Sequence, residues 1–181
     1  MSESSAGGGI RNRDLLTIYC NDHLAASVGG IQLVKRMLGL HRGSRYEEPL
    51  RALLAELHEE NDALAGQMAG MGMPVRRYKQ LGLWVGEKIS RLKLNGRLIS
   101  RSPLSSLVEF EFLASAVRAK RSGFETLREV ADIDHRIDRE LVDRLVDQAN
   151  RQHEWLTHAR REVAADVFGG RPQAADEAAH D

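Results

Sequence analysis

Cysteine is nearly absent from this chain of 181 residues: Cys20 stands alone, so no intrachain disulfide can form, which suits a reducing compartment. No run approaches the ~20 apolar residues that cross a bilayer. The polar, Gly-rich stretch 1–12 lacks the apolar centre of a signal peptide, and the expected location is the cytoplasm. An excess of one charge is also missing. With 26 Lys and Arg against 26 Asp and Glu, no overall field draws the chain to nucleic acid or membrane, so such a partner would need a local patch. Runs of alternating β-branched residues are lacking, which leaves no strand to precede a phosphate-cradling glycine turn. Calcium-loop spacing is absent too: Asp132, Asp134, His135 and Asp138 read as an acidic turn before a helix. Cys20 beside His23 on an apolar helix reads as packing, with no arrangement that would activate a nucleophile.

What is present is apolar residues at spacings of three and four, which predicts an all-α protein. A Ser/Gly-rich tail over 1–13 and an Ala/acid-rich tail over 169–181 are expected to be mobile, flanking one folded domain over 14–168. The first helix is expected over 14–38, with Leu15, Tyr19, Asp22, Ala26, Gly29, Leu33 and Met37 on one stripe and Gly39 as its stop. Its Gly and Ala residues suit close approach of another helix or another subunit. Ser44 and Glu47 have capping-box spacing ahead of a second helix reaching residue 71, with Leu50, Leu53, Leu57, Leu64, Met68 and Met71 inward. A long link follows, with its own short helix expected over 78–94. Ser102 and Pro103 then open a third helix, to residue 131, carrying Leu104, Leu107, Glu111, Ala114, Val117, Phe124 and Leu127. Asp138 caps the fourth, with Val142, Leu145, Ala149, His153, Leu156, Ala159 and Val163 inward.

Two long helices, a link long enough to run the length of a bundle, and two more long helices form an order that resembles the ferritin-like superfamily. The resemblance implies a ferritin-like four-helix bundle with a long crossover between the second and third helices, and it directs attention to one polar residue per helix. Asp22, His58, Glu111 and His153 fall on or beside the inward stripes, so they are expected to converge inside the bundle. Di-metal members of that superfamily carry one Glu on each of the first and third helices and a Glu-x-x-His pair on each of the others. Here Ala55 stands three before His58 and Asn150 three before His153, so both bridging carboxylates are missing. The motif is degenerate. Two alternatives remain at this point: one ion of iron, manganese or zinc held by Asp22, His58, Glu111 and His153, or a buried polar network with Arg118 and Arg121 as countercharge and no cofactor.

The link itself is basic. Arg76, Arg77, Lys79, Lys88, Arg91, Lys93 and Arg97 surround Leu81, Trp84, Val85, Ile89 and Leu92, a pattern that either covers the bundle or meets an anionic membrane or nucleic acid. The expected function is a non-catalytic scaffold or interaction protein, with a protein partner or a second copy of the chain. A metal-binding protein of redox or stress-related role is the alternative, and attachment to anionic surfaces through 76–101 is the second.

Overall fold

The computed structural model describes residues 10–76 and 103–169. Four helices form the described part, α1 (Arg13–Leu40), α2 (Glu47–Gly70), α3 (Pro103–Ala131) and α4 (Arg139–Phe168), with no strand among the described residues. None of these helices is long and apolar enough to cross a membrane. The expected all-α architecture is observed. The expectations for residues 1–9, for a helix over 78–94, and for residues 170–181 lie outside the described residues.

Local chemistry sets the helix ends. Pro103 is the first residue of α3, where its missing N–H costs nothing because that position has no intrahelical acceptor. Asp138 caps α4 by accepting a hydrogen bond from Leu141 N–H at 2.9 Å. The expected box at α2 is altered. Glu47 is itself the first helical residue, and its carboxylate accepts from Gly43 N–H at 2.6 Å, not from Ser44. Gly43 sits at φ +71°, left-handed backbone that glycine adopts without strain. α1 also runs past the expected stop at Gly39 to Leu40.

Cross-helix contacts give the directions. Arg13, opening α1, donates to the Met71 carbonyl just past α2, and Ser27 bonds Asn61, so α1 and α2 are antiparallel. Arg36 pairs with Glu109, and the ring of His23 lies against Gly123, so α1 and α3 are antiparallel too. The pairs Arg160–Glu111 and Arg128–Asp143, each at 3.9 Å, run α4 against α3. Gln67 accepts from Asp138 N–H at 2.9 Å, joining the end of α2 to the start of α4. α2 therefore ends beside the start of α1, whereas α3 begins beside the end of α1.

The core is divided in two. One cluster includes Val34, Met37, Leu50, Leu53, Leu57, Phe110, Leu113, Val117 and Leu156; the other includes Cys20, Leu24, Leu64, Met68, Phe124, Leu127, Val142, Leu145 and Ala149. Fully burying one such large apolar side chain is worth roughly 1.5–3 kcal/mol, so these clusters supply most of the driving force. Between them each helix carries a polar residue: Ser27, Glu60, Lys120 and Gln152. Glu60 falls between Leu57 and Leu64, Lys120 between Val117 and Phe124, and Gln152 between Ala149 and Leu156. A polar layer crosses the middle of the bundle.

Candidate functional site

The layer is built on alternating three- and four-residue steps, which keep one face of a helix turned inward. Those steps bring Glu60 and Gln152 to 3 % and 5 % exposure, and the side chain of Lys120 to 15 %. Lys120 Nζ donates to Glu60 Oε2 and, at 2.6 Å, to Gln152 Oε1. Gln152 Nε2 donates in turn to Glu60 Oε1 at 2.8 Å and to Glu56 Oε2 at 2.7 Å. One amide thus presents its oxygen to the ammonium and its nitrogen to the two carboxylates. The ammonium also lies 6.0 Å from the centre of the Phe124 ring. At the same level Ser27 bonds Asn61 between α1 and α2.

Burial and charge oppose each other here. Removal from water pushes the Glu60 carboxyl up from its ordinary range against the pull of Lys120, and pushes the Lys120 ammonium down against the pull of Glu60. The arrangement is a closed set of charge-assisted hydrogen bonds linking α2, α3 and α4. Both oxygens of Glu60 and the oxygen of Gln152 are engaged within the set.

Sequence reasoning placed the inward polar residues one or two positions away. Asp22, His58 and Glu111 are exposed, and His153 is half-buried, so the four side chains do not converge in the interior. Their neighbours do the burying. Asn21, at 1 % exposure, donates to the Thr17 and Pro74 carbonyls at 2.8 and 3.0 Å and accepts from Arg76 N–H at 2.9 Å, holding the chain that leaves α2 against α1. Glu109, at 5 %, pairs with Arg36; burial raises its pKa, and its Oε2 has no hydrogen-bond partner among the described residues. The proposed countercharges do not serve the interior either: Arg118 is exposed, and Arg121 reaches Glu125 at 2.7 Å.

Iron, manganese or zinc finds a poor fit at mid-bundle. The groups around the ammonium are the Glu60 carboxylate and the Gln152 amide oxygen, with Glu56 bonded to the amide nitrogen; there is no imidazole or thiolate, and a fixed positive charge stands where an ion would need to sit. No group of three or more His, Cys, Asp or Glu side chains is placed to hold one ion among the described residues. Cys20 is buried, and desolvation raises its thiol to about 11, so it is protonated at neutral pH. It lines a small apolar void with Tyr19, His23, Leu64, Gly123, Phe124 and Leu127. Of the basic residues singled out, Arg76 is exposed; Arg77, Lys79, Lys88, Arg91, Lys93 and Arg97 lie outside the described residues.

One signal in the sequence points to the observed layer. Glu60, Lys120 and Gln152 each occupy the a/d-type position between two large or small apolar residues in an unbroken three-four alternation. Comparisons of the chain with family models, curated proteins and solved structures give no match.

Proposed function

We propose that the chain is a non-catalytic scaffold or interaction module built as a ferritin-like bundle whose interior carries no di-metal centre. The observation that carries this reading is the Lys120–Glu60–Gln152 layer, in which a side chain of the protein supplies the positive charge beside the buried Glu60 carboxylate. Helix directions support the ferritin-like order: α2 ends at one end of α1 and α3 begins at the other, as a long crossover requires.

Elemental analysis of protein purified without added metal or a metal-affinity tag tests the reading, together with melting curves in EDTA. The expected result is sub-stoichiometric iron, manganese and zinc and a melting temperature indifferent to the chelator. One equivalent of any of these metals, lost to EDTA with a fall in melting temperature, would overturn it.

A further inference from the structure

We infer that the outer side of α1 is a docking surface for the chain's own basic amphipathic segment, residues 78–94, which lies along the ridge formed by Asn21, Ala25, Gly29 and Leu33. This ridge is outside the interior layer, so metal content there does not bear on it. α1 meets α3 through His23 and α2 through Ser27. Ala25 stands two residues from each, about 200° round the helix, and so faces away from both neighbours. Yet Ala25 is 3 % exposed and belongs to neither core cluster of the described residues, and Gly29, one turn on, is buried as well. Leu33 ends the ridge by joining the first core cluster. Ile18, on the same side of α1 seven residues before Ala25, is 46 % exposed. The cover over the ridge therefore begins between Ile18 and Ala25.

Asn21 occupies that interval, and there the chain leaving α2 is tied down: Asn21 donates to the Pro74 carbonyl at 3.0 Å and accepts from Arg76 N–H at 2.9 Å. The chain beyond Arg76 thus starts at the foot of the ridge. It has to reach Pro103 beside the other end of α1, near the Arg36–Glu109 pair. From Asn21 to Leu40 α1 rises roughly 30 Å, and a helix over 78–94 spans roughly 25 Å at the same rise per residue, leaving the stretch to 102 to close the distance. Leu81, Val85, Ile89 and Leu92 share one face at helical spacing, which supplies an apolar stripe for the ridge. Gly82 and Gly86 flank that stripe at the four-residue spacing of Ala25 and Gly29, and small residues on such ridges let two helices approach closely. Burial of the ridge arises within a single chain, so neither a second copy nor a lipid surface is required to explain it.

A benzophenone photoprobe placed in the full chain at Ala26 or Gln32, both exposed and flanking the ridge, tests this directly. Irradiation followed by peptide mapping is expected to join these positions to residues 78–94 of the same chain. A probe at exposed Glu154 on α4 should join to other peptides only. With Trp155→Phe, Trp84 is the only tryptophan, and iodide is expected to quench it weakly. Ala25→Arg, which sets a long charged side chain on the ridge, should raise that quenching several-fold, whereas Ile18→Arg should leave it unchanged. Absence of any cross-link from Ala26 and Gln32 to residues 78–94 overturns the inference, whether or not Ala25→Arg folds. Three other results do the same: cross-links to 78–94 that form only between two copies, quenching of Trp84 that is equal in all three proteins, or shielding of Trp84 that appears only when phosphatidylserine vesicles are added, which would assign the segment to a membrane surface.

Discussion

The imidazole of His23 on α1 occupies the space where a side chain on residue 123 of α3 would begin. A Cβ built on Gly123 would meet the His23 ring, coming 2.8 Å from each of its nitrogens and nearer still to Cε1. Glycine in mid-helix normally weakens a helix by about 1 kcal/mol relative to alanine, so its presence within α3 is explained by this contact with α1. The ring is further fixed edge-on to Tyr19, with centroids 4.6 Å apart, and burial lowers its pKa against the weaker pull of Asp22. The glycine allows close approach of antiparallel helices next to Cys20 and Phe124.

Gly123→Ala is therefore expected to destabilise the protein by about 1–2 kcal/mol, the cost of displacing the ring exceeding the gain in helix propensity. In a His23→Ala background the obstruction is gone, and the same substitution should become neutral or stabilising by up to about 1 kcal/mol. Urea denaturation of the four proteins of this cycle measures the coupling. If Gly123→Ala has the same effect in both backgrounds, His23 is not the reason for the glycine.

The mid-bundle layer makes a second prediction. Lys120→Met removes the countercharge bonded to Glu60, and breaking a buried pair from one side typically costs roughly 3–5 kcal/mol. Replacing the whole set, Glu60→Leu with Lys120→Met and Gln152→Leu, removes the desolvation cost along with the attraction. That triple variant should be as stable as wild type or more stable by about 1–4 kcal/mol. Chemical denaturation decides it. A triple variant less stable than Lys120→Met alone would show that the layer contributes net stability as a unit.

Much of the architecture was legible because long helices with apolar stripes leave a strong periodic signal. The inward residues expected on α2 (Leu50, Leu53, Leu57, Leu64, Met68 and Met71) are all buried, as are Val142, Leu145, Ala149, Leu156, Ala159 and Val163 on α4. Pro103 and Asp138 marked helix starts because their chemistry is local. The phase of α1 was the weak point. Leu15 and Leu16 are adjacent and equally apolar, yet the first is 59 % exposed and the second 8 %; sequence spacing alone put Leu15 and Asp22 inward, where Leu16 and Asn21 belong. An error of one residue rotates the assignment by about 100°, enough to move a polar side chain from water to core. On α3 the same slip favoured Leu104 and Glu111 over Phe110 and Glu109. Candidate ligands were chosen for their chemistry as His and acid, whereas burial selected the residues that could find partners: an amide, a lysine and a glutamate.

Two carboxylates with opposite shifts give the pH dependence. Hydrogen bonds from the Arg136 side chain, bonding at 2.9 Å through Nε, hold Asp134 at about 2, below its ordinary 3.8, with a further bond from Arg136 N–H. A depressed folded pKa contributes stability that is present above 3.8 and is lost as pH falls toward about 2. Glu109 is the reverse: burial raises it above 4.5 despite the attraction of Arg36, so its contribution is fullest below 4.5 and is lost as pH rises through the raised value. Together these groups favour a mildly acidic maximum. Asp134→Asn should flatten the acid limb of a plot of melting temperature against pH. Glu109→Gln, which keeps an oxygen for Arg36 and removes the charge from an Oε2 with no partner among the described residues, should flatten the decline on the other side. An unchanged decline in Glu109→Gln, measured by thermal melts between the acid limb and neutral pH, would assign it to another group, with Glu60 the next to test because burial raises it in the same direction.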